Sequence, residues 1–186
     1  TGRQPASPSR LVRPGTGMRL RLLPLQVPLL LLLCSTPAFS FTGLVVSVKD
    51  GDTIEVLSNG QTTKIRLHGI DCPEKRQAYG YRAKLATAVL TFGQAVTIHP
   101  HEKDKYGRLV AEVILADETN VNQLLVKDGW CWWYRTYAPA DPVLETLESE
   151  ARRTRRGLWI DPNPVPPWVY RKLKHKPPVG VLEPLP

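Results

Sequence analysis

Cysteine and methionine are scarce in this chain of 186 residues, which has three of the first and one of the second. With no CxxC or CxxH cluster, a structural zinc site is excluded. No 12-residue calcium loop of the EF-hand pattern occurs either. Internal repeats are absent, which removes solenoids and propellers. Acids are missing from residues 1–40, which hold five arginines, so the formal charge of +8 falls to +3 for the rest of the chain. That mild excess fits a polyanion partner without requiring one.

No uninterrupted apolar run is long enough to span a bilayer comfortably. The apolar stretch that does occur follows Met18-Arg-Leu-Arg, is broken by Pro24 and Pro28, and ends in TPAFS. A basic start, an apolar centre and small residues at a cleavage point make residues 18–40 a signal peptide, cut after Ser40. Residues 1–17 read as upstream sequence, and the mature protein is expected to be secreted or periplasmic, without a membrane anchor. Cys34 lies in the signal segment, leaving Cys72 and Cys131. In an oxidising compartment such a pair is either a disulfide or two independent buried thiols.

An apolar content of 42% suits one globular core. Residues 43–49 (GLVVSVK) and 52–57 (DTIEVL) read as strands around a DGD turn. Asn59-Gly60 predicts a hairpin into a third strand over 62–67. Residues 80–92 lack turn residues, and Ala83, Ala86, Val89 and Leu90 share one helical face. Strands are expected over 95–99 and 109–115, with KDKYGR between them. Asn120 caps a short helix ended by Gly129, and Asp141-Pro142 opens a third helix running to Arg156. From Asp161 onward, eight of 26 residues are proline, which argues against helix and sheet; residues 166–168 are expected to dock on the domain. The order of five strands, with a helix between the third and fourth, predicts an α+β fold. It is a five-stranded OB-fold Greek-key β-barrel with about three helices. The domain spans 41–170 and a Pro/Lys-rich tail 171–186.

Chemistry collects in four pieces: DGDT (50–53), IRLHGIDCPE (65–74), DKYGR (104–108) and WCWWYRTY (130–137). Asp50-Gly51 accounts for a turn. Asp52 and Asp71 stand at strand ends, where they either cap turns or form a hard-oxygen pair for Ca²⁺ or Mg²⁺. Arg66 and Arg108 are either exposed charges or phosphate forks. Glu74, after Pro73, is either solvated or a general base. Trp130, Trp132 and Tyr134 fall on one face of an extended segment, which reads as core for the tryptophans. His99 and His101 share an exposed strand face; His68 has no assigned role.

The ordered set DGDT, RLHGIDCPE, DKYGR, VNQLLVKDGW and EARRTRRGLW resembles the thermonuclease (micrococcal nuclease-like) family over residues 43–168. The ending NPVPPWVYRK is similar to its secreted bacterial branch. The resemblance implies Ca²⁺ held by Asp52, Asp71 and the Cys72 carbonyl, with Arg66 and Arg108 on the scissile phosphate and Glu74 as base. It places Lys105 and Tyr106 at the 5′-phosphate side of the nucleotide, and Tyr134 or Tyr137 stacked on a base. The implied activity is Ca²⁺-dependent hydrolysis of single-stranded DNA and RNA that leaves 3′-phosphates, by a monomer. An OB module that binds nucleic acid or protein without cleaving is the alternative. Two departures stand out. Only KRQAY separates Glu74 from Gly80, where the family's familiar member has a longer lysine-rich loop, and Cys72 replaces a hydroxyl residue. By the same resemblance Cys72 is expected to pair with Cys131.

Overall fold

A computed structural model describes residues 1–2 and 39–174. The expected signal segment, apart from residues 39–40, and the chain after 174 lie outside the described residues. Among the described residues no helix is long and apolar enough to cross a membrane.

The chain runs through β1 (Phe41–Asp50), β2 (Thr53–Ser58), β3 (Gln61–Leu67), β4 (Ile70–Asp71) and α1 (Gly80–Thr91). It continues through β5 (Ala95–Lys103), β6 (Leu109–Leu115), α2 (Val121–Lys127), β7 (Trp132–Trp133) and α3 (Pro142–Arg153). A 3₁₀ turn (Gly157–Ile160) and α4 (Pro167–Lys174) complete it. Five strands close a barrel in the order β1-β2-β3-β6-β5, and β4 pairs with β7 beside it. This is the α+β OB-type barrel that the strand order predicts.

Local chemistry explains the joints. Asn59 and Gly60 both take positive φ, 49° and 75°, which the two-residue turn between β2 and β3 requires. Alternating residues Ile54, Val56, Ile65, Leu67, Val96 and Ile98 are sealed inside the barrel. The barrel closes through a parallel pairing of β3 with β6, Ile65 opposite Leu109 and Arg66 opposite Val110. That register puts the ends of β2, β3 and the β5–β6 turn on one rim.

Polar groups tie the helices to this rim. Asn122 of α2 is buried; its Oδ1 accepts from Val113 N–H, and its Nδ2 donates to the His68 and Ala111 carbonyls. It thereby braces the turn between β3 and β4. Glu148 of α3 is buried, and Trp133 N–H, Arg135 and Arg152 donate to it, so the burial of its charge is fully compensated.

Three details depart from the sequence reading. Along α1, Val89 faces solvent, while Thr87 and Thr91 are buried. Each threonine donates its hydroxyl to a carbonyl, Thr87 to Gly51 at 2.6 Å and Thr91 to Thr87 at 2.7 Å, so that face tolerates them. Cys131, Trp132 and Trp133 are all buried, because the segment lies between two apolar clusters and no simple alternation holds. Finally, the proline-rich stretch contains α4, a fourth helix. Pro167 stands at its first position, where no backbone N–H is needed.

Candidate active site

The DGD turn sits close against its neighbours. A Cβ on Gly51 would meet Cys72 Cβ at 2.7 Å and Ala83 Cβ at 3.0 Å, so only glycine fits there. Asp52 N–H donates to Asp50 Oδ1 at 3.2 Å, closing the turn. Burial, with the charge of Asp52 beside it, pushes Asp50 up to about 7. Asp52, beside it, has partners of its own. Its Oδ1 accepts from the Thr53 hydroxyl at 3.1 Å, and its Oδ2 accepts from Cys72 N–H at 2.9 Å.

Asp71, on β4, is 1% exposed. Burial raises its carboxyl and the charge of Asp52 adds to this, against the lowering effect of Arg171 and Arg66. Arg66 projects from β3 between the two acids. One nitrogen lies 3.2 Å from Asp52 Oδ2, the other 3.1 Å from Asp71 Oδ1. Arg108 reaches the same place from the β5–β6 turn. Its Nε donates to Asp104 Oδ2 at 2.7 Å, and its Nη1 donates to Thr53 Oγ1 at 3.3 Å. Thr53 therefore links Arg108 to Asp52. Although burial opposes it, the Arg108 guanidinium and the turn's N–H groups hold Asp104 below the usual carboxylate range.

Glu74 follows Pro73 out of the buried segment, and its side chain is 41% exposed. Arg171 of α4, which sequence reasoning assigned to the tail, donates to Glu74 Oε1 at 2.8 Å and to Asp71 Oδ2 at 2.8 Å. Burial opposes the charge of Arg171, but these two acids outweigh it and raise its pKa. The available signal was its position three residues after Trp168, on the same helical face.

These groups line one cleft of about 750 Å³. Lys105 and Arg108 flank the ring of Tyr106 at 5.2 and 5.6 Å, and Tyr106 is mostly exposed. Tyr134 and Tyr137 border the cleft with ring centroids 5.1 Å apart. Tyr134 has one face covered by Trp168, and Tyr137 is open to solvent. Behind the acids, Cys72 and Cys131 are joined as a disulfide. His68 stacks on His101 at 3.9 Å, and neither lines the cleft.

The arrangement sets acids and guanidinium groups against each other within a water-accessible groove. Among the described residues no three His, Cys, Asp or Glu side chains form a ready metal cage. Two buried carboxylates sharing one arginine do fit a hard cation that keeps part of its water shell. The open, cation-lined side of the cleft fits a phosphodiester.

A family model described as Staphylococcal nuclease homologue matches residues 64–161. An "Uncharacterized endonuclease" of Escherichia coli O157:H7 is 44% identical over 150 residues, covering 80% of this chain and 97% of that protein. A "Micrococcal nuclease" of Shigella flexneri is 44% identical over 151 residues, covering 76% and 87% respectively. With this likeness along most of its length and an acid–arginine cleft on an OB-type barrel, the chain belongs to the staphylococcal nuclease homologue family and is a nuclease.

Proposed function

We propose that this nuclease is a Ca²⁺-dependent phosphodiesterase acting on single-stranded DNA and RNA, cleaving the 5′ P–O bond and leaving 3′-phosphates. The observation that carries the reading is the position of Arg66, shared between Asp52 and Asp71 at 3.2 and 3.1 Å on the wall of the cleft that holds Glu74 and Arg108. Asp52, Asp71 and the Cys72 carbonyl are the groups that would hold the ion. Once bound, it would supply Lewis-acid polarisation of a phosphoryl oxygen.

The chain's own residues do the rest. Glu74 accepts a proton from a water that attacks phosphorus, and the 5′ oxygen leaves with a proton from solvent. Arg66 and Arg108 donate hydrogen bonds to the equatorial oxygens, where negative charge grows in the transition state. Their carboxylate and hydroxyl partners fix both forks in advance, which lowers the cost of ordering them. Lys105 and Tyr106 grip the 5′-phosphate side. Tyr137, open to solvent, offers a stacking face to an unpaired base, and Tyr134 borders it; the need for exposed bases favours single strands. We take the protein to act as a monomer outside the cytoplasm, a reading supported by its disulfide.

Product analysis tests this reading. A single-stranded oligonucleotide digested in Ca²⁺ should yield fragments with 3′-phosphate and 5′-hydroxyl ends. Asp71→Asn should need far more Ca²⁺ for the same rate. Fragments with 5′-phosphates, or an unaltered Ca²⁺ requirement, would count against it.

A further inference from the structure

The helix α4 is held on the barrel by contacts that do not involve the acids. Trp168 lies nearly parallel to Tyr134 at 5.4 Å and meets Trp132 edge-on at 6.4 Å. The Tyr170 hydroxyl donates to the Arg76 carbonyl, and Gln77 donates to the Val165 carbonyl just ahead of the helix. Arg171 lies on the same helical face as Trp168, so the anchor that docks the helix also aims the guanidinium into the cleft.

Once there, Arg171 engages both oxygens of Asp71. Its Nη2 donates to Oδ2 at 2.8 Å, while its Nη1 reaches Oδ1 at 3.3 Å and Glu74 Oε1 at 2.8 Å. Arg66 takes Oδ1 as well, at 3.1 Å. Both oxygens of Asp71 are thus engaged by guanidinium groups. A divalent ion takes carboxylate oxygens at about 2.3–2.6 Å. Two cations cannot share one edge of a carboxylate at such distances without strong repulsion. The hold of Arg171 on Asp71 therefore opposes binding of the ion at that carboxylate.

We propose that Arg171 is a positioning residue that competes, as a tethered cation, with the divalent ion for Asp71, so that α4 sets the ion concentration at which the centre assembles. The proposal rests on the divalent-ion reading above. By linkage, the ion weakens the hold of Arg171 on Asp71 by the same factor by which Arg171 weakens ion binding. A residue with a purely supporting role would act in the opposite sense, since its loss would loosen the site and weaken ion binding.

Calorimetric titration of the full chain with CaCl₂, without nucleic acid, separates the two. Arg171→Gln should bind Ca²⁺ about tenfold more tightly than the parent. Arg171→Lys, which keeps the charge but loses the fork, should fall between them. Trp168→Ala, which frees the helix and leaves every charge in place, should also bind more tightly than the parent. Lys172→Gln, an exposed charge on the same helix, should stay within about twofold of the parent. Unchanged or weaker binding by Arg171→Gln overturns the proposal, and so does an equal gain in Lys172→Gln. A parent that binds no Ca²⁺, Mg²⁺ or Mn²⁺ defeats the divalent-ion reading itself and the proposal with it. A binding parent with an identical Arg171→Gln isotherm defeats the proposal alone.

Discussion

The backbone N–H of Cys72 donates to Asp52 Oδ2 at 2.9 Å, joining residues 20 positions apart. The same cysteine is bonded to Cys131, 59 residues further along the chain. One residue thus aligns an acid of the β1–β2 turn and ties the segment carrying Asp71 and Glu74 to the chain between α2 and β7.

The first prediction concerns this tie. Cross-linking a loop of that length stabilises a fold by about 2–4 kcal/mol, chiefly through the unfolded state. Cys131→Ala should lower the unfolding free energy by that order in urea titrations, and reductant should do the same to the parent. Two free thiols among residues 41–186 of the denatured, unreduced protein, or no response to reductant, would contradict the bond.

Arg66 and Arg108 should differ in a way that their partners dictate. Replacing either with alanine should cost on the order of 10²-fold or more in turnover. Only Arg66→Ala should also destabilise the fold strongly, by about 3–5 kcal/mol, because it leaves Asp52 buried without a cation and Asp71 with Arg171 alone. Arg108 pairs with the more exposed Asp104, so Arg108→Ala should lose rate with little loss of stability. Paired kinetics and urea denaturation of the two variants measure this. Near-normal turnover in either would remove it from the reaction.

A pH effect on stability follows from the stacked histidines. Burial first, then the charge of His101, lowers the pKa of His68 from 6.5, opposed by Glu112, Asp141 and Glu102. The unfolded chain therefore binds a proton at His68 more readily than the folded one. Stability from this group is present above 6.5 and lost as pH falls from there towards its folded value. Thermal midpoints recorded between about pH 5 and pH 8 should fall on the acid side for the parent. His68→Gln should flatten that slope; an unchanged slope would assign it to other groups.

Much of this was legible in the sequence because the relevant chemistry is local. Period-two apolar residues and an Asn-Gly turn define β1 to β3, and the acid, arginine and glutamate pieces lie at strand ends that the barrel closure gathers. What was not legible depends on packing between distant segments. Arg171 meets Asp71 across 100 residues of chain because Trp168, with hydrogen bonds at Tyr170 and Val165, seats α4 on the barrel. Proline richness concealed that helix, since composition does not reveal that Pro167 is at its start. The inward face of α1 was misread at Val89 because Thr87 and Thr91 satisfy their hydroxyls within the helix and at Gly51. Alternation failed in WCWW because both sides of that segment are covered.

The most direct measurement is cleavage of single-stranded DNA and RNA by residues 41–186 in Ca²⁺ and in chelator, beside Glu74→Ala. The account predicts rapid cleavage in Ca²⁺, none in chelator, and a loss on the order of 10²-fold or more in the variant. Undiminished cleavage by Glu74→Ala, or cleavage that persists in chelator, would contradict it.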